Sequence, residues 1–219
     1  MDVLAADGES LDWSLYLGAG LYVGMGYQEN SSVVFDPYDT HYSIIAGARF
    51  EWAGSMAGVE YLHDCFHDVD REDDTSEIWN VAKFDLCSRD WYPRYRRQAL
   101  AAMEGSGLIL DTAWHAAFWY FPRWQVHDYV QQGHDYSLAL GGGLKIAFAH
   151  WESLAVELRP GILYFLDHGG GWAWKNDLFL YLTWYGSDGT ICLFTGPRWD
   201  RQEIKPSGDR WVLGIDFYL

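Results

Sequence analysis

The chain has 219 residues, 18% of them aromatic, and a formal net charge of −16. This length fits one or two domains, and no linker-like stretch divides the sequence. The acidic balance argues against nucleic-acid binding, which normally requires a basic surface. No run of about 18 apolar residues predicts a transmembrane helix.

The first predicted element, residues 11–25, alternates between apolar and polar side chains without a break. One face would carry Leu11, Trp13, Leu15, Leu17, Ala19, Leu21, Val23 and Met25, and the other Asp12, Ser14, Tyr16, Gly18, Gly20, Tyr22 and Gly24. Successive side chains of a β-strand point to opposite faces, so this pattern predicts a strand with one apolar face.

The same alternation recurs along the rest of the chain. It predicts strands at residues 41–52, 56–67, 77–89, 108–121, 135–149, 153–165, 175–185, 190–197 and 211–219. In the strand at 135–149 the pattern assigns Tyr136 to the apolar face. Connections alternate long and short, with short turns at 53–55, 150–152 and 186–189. The exception is the irregular segment 90–106, which contains a basic, helix-compatible piece.

The final strand indicates the fold class. Trp211, Leu213, Ile215, Phe217 and Leu219 share one face, and the chain stops there. This ending resembles the C-terminal signature of bacterial outer-membrane barrel proteins. Together with the alternation, it predicts an all-β, closed, antiparallel up-and-down transmembrane β-barrel with long extracellular loops and mostly short periplasmic turns. Ten strands fit best, with eight or twelve as alternatives, and a soluble β-sandwich or lipocalin is the structural competitor.

The tryptophans fit the same prediction, because they gather near the ends of the predicted strands. Transmembrane barrels carry an aromatic girdle at each membrane interface. One rim would hold Trp13, Trp52, Trp151 and Trp184, and the other Trp79, Trp119, Trp174 and Trp211.

The barrel prediction sets the expected domain organisation and location. Residues 11–219 would form one barrel domain, preceded by a periplasmic extension at residues 1–10. The location would be the bacterial outer membrane, with the signal peptide already removed, since residues 1–3 lack the basic start and apolar core of one. The expected partners are outer-membrane lipid and lipopolysaccharide, and a protein bound through the loops or the 90–106 segment.

The polar face would line the lumen, and it carries charges of both signs. The network would comprise Arg49, Glu51, Glu60, Asp64, Lys83, Asp85, Arg89, Glu157 and Arg159. In a narrow barrel the interior is only wide enough for side chains. We therefore expect ion pairs to fill it and the protein to have a structural, surface-binding or complex-assembly role. A narrow channel for small solutes is an alternative.

Residues 58–71 hold the densest set of reactive side chains. Parity places His63 and Cys65 on the outward face, with Asn80 opposite them on the neighbouring strand. This arrangement is similar to outer-membrane phospholipase A and the lipid A deacylases, which carry a His-x-Ser pair on a barrel's outer wall. The resemblance implies lipid acyl hydrolysis, with His63 as base, Cys65 in place of the serine nucleophile and Asn80 orienting the histidine.

A metal site is another hypothesis for the same stretch. His63, His67, Asp68 and Asp70 offer imidazole and carboxylate ligands suited to a divalent ion at the extracellular rim. The two histidines would bind one ion only if the strand ended before His67. A third interpretation gives these residues no special role. No other cofactor is predicted.

Overall fold

The computed structural model describes residues 2–6, 8, 11–26, 36–68, 76–102, 107–122, 136–187, 189–201 and 208–218. Eleven strands, one short 3-10 turn and one α-helix make up these residues. The strands are β1 (Asp2–Ala6), β2 (Asp12–Gly26), β3 (Asp36–Trp52), β4 (Ser55–Asp68), β5 (Ser76–Ser88), β6 (Gly107–Tyr120), β7 (Tyr136–Trp151), β8 (Leu154–Asp167), β9 (Trp172–Tyr185), β10 (Thr190–Asp200) and β11 (Arg210–Tyr218). The 3-10 turn is Arg89–Trp91, and the helix, α1, is Pro93–Ala101.

The strands form one antiparallel up-and-down sheet, in which each strand pairs with the next along the chain. β2 to β11 correspond to the ten predicted strands, so the predicted all-β antiparallel class is confirmed. β1 is an addition: part of the predicted N-terminal extension pairs with β2, for example Ala6 with Trp13. Within the described residues, β1 and β11 are the two edges of the sheet.

The two faces of the sheet differ in burial. On the inner face, side chains are buried or half-buried against one another and against α1. On the outer face, large apolar side chains are exposed in every strand from β2 to β11. The period-two pattern produces this sorting, because it sends apolar residues to one face and polar and small residues to the other.

Two aromatic residues depart from their predicted positions. Tyr136 was predicted on the apolar outer face but is buried on the inner one, because the register between β7 and β8 shifts between Tyr136 and Leu138. Trp119 was predicted in an aromatic girdle but packs on the inner face, since its odd number in β6 gives it the parity of the buried Ala117. Both join an inner apolar cluster of Leu62, Val81, Phe121, Tyr136, Ala139, Phe165 and Ala173.

Tight connections gather at one end of the sheet, here called the short-turn end. β3 and β4 are joined by Ala53 and Gly54, both at positive φ, as two-residue hairpin turns require. β7 and β8 are joined by Glu152 and Ser153, and Glu152 is again at positive φ. The predicted turn at 150–152 therefore begins two residues later, because β7 continues through Trp151.

The connection between β5 and β6 at this end folds onto the inner face. We call residues 89–101 the inner segment: the 3-10 turn and α1, which starts with Pro93 at a position where helices favour proline. Gly143 leaves room for it, because a Cβ at that position would lie 3.2 Å from the Trp91 ring. The predicted helix-compatible piece is thus a helix packed against the sheet.

Of the helices described, none has the length and apolar character needed to cross a membrane.

Candidate functional site

The first candidate site lies on the outer face of β4 and β5. The register sets His63 directly opposite Asn80 and Cys65 opposite Ile78. Tyr61, two residues before His63, has the same outward parity and is exposed. The predicted grouping of His63 with Asn80 therefore follows from strand pairing, which brings directly opposed side chains within about 5 Å at Cβ.

A single amide oxygen joins three of these side chains. His63 Nδ1 lies 2.8 Å from Asn80 Oδ1, and the Tyr61 hydroxyl donates to the same oxygen at 2.7 Å. An amide oxygen only accepts hydrogen bonds, so Nδ1 must carry the proton. Neutral His63 therefore keeps Nε2 as its acceptor nitrogen. Tyr61 was missed in the sequence, although its position two residues before His63 on one strand face was the available signal.

Cys65 supplies a thiol on the same face. Cys65 is half-buried and forms no disulfide with the other two cysteines. Two residues of a strand span about 7 Å, so Cys65 is the next outward side chain after His63.

Strand spacing separates the two histidines of the hypothetical metal set. β4 continues through Asp68, so the backbone positions of His63 and His67 are four strand residues, about 13 Å, apart. The side chains of His67 and Asp68 and the whole of Asp70 lie outside the described part of the structure, so this metal site stays a prediction. Among the side chains that are described, no group of three His, Cys, Asp or Glu residues forms a metal site.

The second candidate site is the charged inner face beneath the inner segment. Lys83 Nζ donates to Glu60 Oε2 at 2.6 Å and lies 3.7 Å from Asp85. The hydroxyl of Tyr16 donates to the other oxygen of Glu60. Asp85 in turn lies 2.6 Å from His115 Nε2. A continuous polar chain therefore crosses the inner face from β2 to β6.

The remaining predicted network residues are arranged around this chain. Glu51 pairs with Arg89, which follows the end of β5 and belongs to the 3-10 turn, not to the predicted strand. The Arg49 guanidinium lies over an aromatic ring, 4.2 Å from the centroid of Tyr92. Asp64 is half-buried on the inner face of β4. These contacts extend the charged region across β3 and β4.

Glu157 on β8 accepts from two guanidinium groups. Arg159 donates to its Oε2 at 2.5 Å, and Arg96 donates to its Oε1 at 2.8 Å. Both the Glu157 and Arg96 side chains are fully buried. A buried carboxylate needs such compensation, because removing its partners leaves a charge without solvation.

Arg96 is the centre of the network, a role that the sequence did not reveal. Besides Glu157, it pairs with Asp90 at 3.0 Å and with Asp111 on β6. Burial lowers the pKa of Arg96, but the carboxylates of Glu157 and Asp111 outweigh that effect and raise it above the usual value. Arg96 is therefore permanently charged and serves as a tie between α1 and the sheet. Because its side chain is fully buried, Arg96 does not contact an external partner in this arrangement. The predicted partner of the 90–106 segment stays a prediction.

Aromatic contacts complete the docking of the inner segment. Trp91 stacks on His115, with ring centroids 5.0 Å apart, and its carbonyl accepts from Lys145. Tyr95 donates to Glu51 at 3.0 Å. Burial raises the pKa of the neighbouring Tyr92 phenol to about 12, so this ring stays neutral.

The two sites thus differ in chemistry. The outer face presents an imidazole held by an amide oxygen, with a thiol two residues further along the same strand face. The inner face presents paired charges with a docked helix, a combination that fills space and holds elements in place. No protein-family model, curated protein or solved structure matches the chain.

Proposed function

We propose that the chain is a small integral β-barrel of a bacterial outer membrane, with a filled interior and a structural, surface-binding or assembly role. The observation that carries the proposal is the outer face. Aliphatic and aromatic side chains, most of them exposed, line up across paired strands, as from Val59 to Phe84, the half-buried Phe118 and Leu140.

Energetics favour lipid as the medium for this face. Burying one large apolar side chain is worth about 1.5–3 kcal/mol, and every strand from β2 to β11 exposes at least one. Soluble monomers rarely expose apolar patches above a few hundred Å². A soluble sandwich or lipocalin would instead turn this face toward its core. In a hydrocarbon environment these side chains would not contact water, so the free-energy cost of exposing them would be absent.

Strand direction supports closure as ten strands. In an up-and-down sheet, β11 runs parallel to β1 but antiparallel to β2. Single-chain bacterial barrels have an even number of antiparallel strands. In the proposed closed form, β11 therefore pairs with β2. It would take the place of β1, which pairs with β2 from Trp13 to Tyr16 in this structure.

The inner segment and the ion pairs support a resting state without a solute path. The proposed protein would interact through its lipid-facing wall and through the long loops at the end opposite the short turns. Lipid, lipopolysaccharide and a protein bound at those loops are the corresponding partners.

Two measurements test the barrel. We expect heat-modifiable migration on detergent gels, because folded barrels resist the detergent until heated. We also expect the purified protein to insert into phospholipid vesicles and become protected from protease there. A monodisperse protein that remains folded and monomeric without detergent would overturn the proposal.

A second function, lipid acyl hydrolysis, is favoured by one contact, the 2.8 Å approach of His63 Nδ1 to Asn80 Oδ1. In this scheme Asn80 orients the imidazole and Nε2 takes the proton of Cys65. The thiolate attacks the ester carbonyl carbon, giving a thioester and releasing the lipid alcohol, which takes the proton from His63. Water activated by His63 then hydrolyses the thioester to the free fatty acid.

Acyl release from phospholipid and lipopolysaccharide tests this second function. Cys65→Ala and His63→Ala should abolish release, whereas Cys192→Ala, which removes a buried inner-face thiol, should leave it unchanged. Absence of any turnover by the wild-type protein would end the hydrolase hypothesis while leaving the barrel proposal intact.

A further inference from the structure

The inner segment is held by many polar contacts and a small fully buried apolar one. Of its described side chains, only Arg96 and Leu100 are buried, and Leu100 packs in a cluster with Ala147, Ala155 and Tyr185. The segment also makes ion pairs, hydrogen bonds and an aromatic stack with the sheet. Water can replace polar contacts one by one, whereas a large apolar interface would have to be exposed as a whole.

The charges on the two sides of this contact are complementary. The inner segment contributes Arg89 and Arg96, while the strands contribute the carboxylates of Glu51, Asp111 and Glu157. When the segment leaves, Glu51 and Asp111 lose Arg89 and Arg96, whereas Glu157 loses Arg96 and keeps Arg159. The inner face around the segment would then carry the acids Glu51, Glu60, Asp85, Asp111 and Glu157 and the cations Arg49, Lys83, Lys145 and Arg159.

The inner segment also contacts strands in both halves of the sheet. The segment follows β5 at the short-turn end and contacts strands far apart in the sheet, from Glu51 on β3 to Glu157 on β8. Arg97 reaches the carbonyl of Gly186, in the turn between β9 and β10, at 2.9 Å. The strands therefore curve around the segment, and it blocks the space between them.

We propose that the inner segment is a reversible plug, whose release opens a water-filled path selective for small inorganic cations. This inference rests on the proposed barrel. Carboxylates that line a pore favour cations, and Glu51 and Asp111 are the carboxylates that release would deprive of the segment's arginines.

Conductance in planar bilayers tests the plug. Wild-type protein should be silent at low voltage, and a variant with residues 89–101 replaced by a Gly-Ser linker of equal length should conduct steadily. In a potassium chloride gradient its reversal potential should show preference for potassium over chloride. A linker variant that inserts, migrates heat-modifiably and passes no current would overturn the plug alone, as would one that prefers chloride. Failure of the wild-type protein to insert would instead overturn the barrel.

Point variants provide a matched comparison that keeps the segment. Arg96→Gln removes the charge at the centre of the network and should raise the frequency of openings at least about a hundredfold. Arg97→Gln removes an exposed arginine of the same helix, which donates to the carbonyl of Gly186, and should have little effect. Equal behaviour of the two variants would contradict the proposal.

An engineered disulfide between α1 and β8 gives a third test, because it can be formed and reduced in the same protein. Leu100→Cys with Ala155→Cys, in a background where the three native cysteines are alanine, joins α1 to β8 at a packed contact. Combined with Arg96→Gln, the disulfide should silence openings and reduction should restore them. Openings that persist at the same frequency in the oxidised form would show that current does not depend on movement of the segment.

Discussion

A charge placed on the outer face of β9 tests whether that face meets lipid. Leu180 is 45% exposed and pairs with Leu158 on one side and Thr195 on the other. It lies four residues from the exposed Trp184 and eight from the exposed Trp172. At about 3.3 Å per residue and a tilt of about 40°, these separations correspond to about 10 and 20 Å along the barrel axis. Leu180 is therefore near the middle of the apolar band.

Leu180→Arg should accordingly cost about 2–4 kcal/mol of folding free energy in a bilayer, or about 30- to 900-fold in the folding equilibrium constant. Ile191→Arg is the matched control, because Ile191 is also aliphatic and exposed but lies opposite Trp184 in the register. Near an interface the same change should cost about 0–1 kcal/mol. Denaturant titration of protein reconstituted in phospholipid vesicles measures both. Equal costs at the two positions, or a Leu180→Arg protein as stable as wild type, would refute the lipid-facing assignment.

Three further predictions concern stability in detergent micelles, measured by denaturant titration. Glu157→Gln removes the carboxylate that accepts from two guanidinium groups and should cost about 3–5 kcal/mol; a neutral result would show that the pair is solvated. Gly196→Ala sets a Cβ against a carbonyl oxygen of β9 and should cost about 1–3 kcal/mol, whereas Gly161→Ala meets only a side chain at 3.8 Å and should be tolerated. The hydrogen bond from Arg201 lowers the pKa of Asp209, so the pair stabilises the fold above the unfolded-state pKa and less as pH falls through the folded-state pKa. Asp209→Asn should remove that acidic dependence, and an unchanged pH profile would count against the pair.

Much of the strand content follows from period-two alternation alone. The segment from Leu11 to Met25 alternates without a slip, and β2 begins and ends one residue later, at Asp12 and Gly26. β1 was missed because its five residues, Asp2–Ala6, are too few to show a period, and they become a strand only by pairing with β2. Local pattern therefore predicts long strands well and short edge strands poorly.

Alternation along the sequence assigns a side chain to the wrong face where the register between two strands is irregular. Tyr136 belongs by its spacing to the outward set of β7, but an irregularity between it and Leu138 reverses its direction. Nothing in the local residue pattern marks this shift. The resulting packing is visible only in the three-dimensional structure, where the Tyr136 ring stacks on Phe165 with ring centroids 4.6 Å apart.

The contacts of the candidate sites were also predictable only where they follow from local strand pairing. The grouping of His63 with Asn80 was predictable, because opposed residues of neighbouring strands meet once the hairpin is recognised. The partners of Glu51 and Glu157 were only partly predictable. Arg159 lies two residues from Glu157 on one face, but Arg96 reaches it from 61 residues away through a helix whose placement depends on the entire curved sheet.

The place of the inner segment in the chain has a consequence for the order of folding. The segment connects β5 directly to β6, so it can dock as soon as that hairpin and the following strands form, with little loop-closure entropy. On that order, Arg96 would pair with Asp111 and Glu157 before the last strands, β10 and β11, are added. In the proposed barrel, these two carboxylates would then enter the bilayer already paired with a cation.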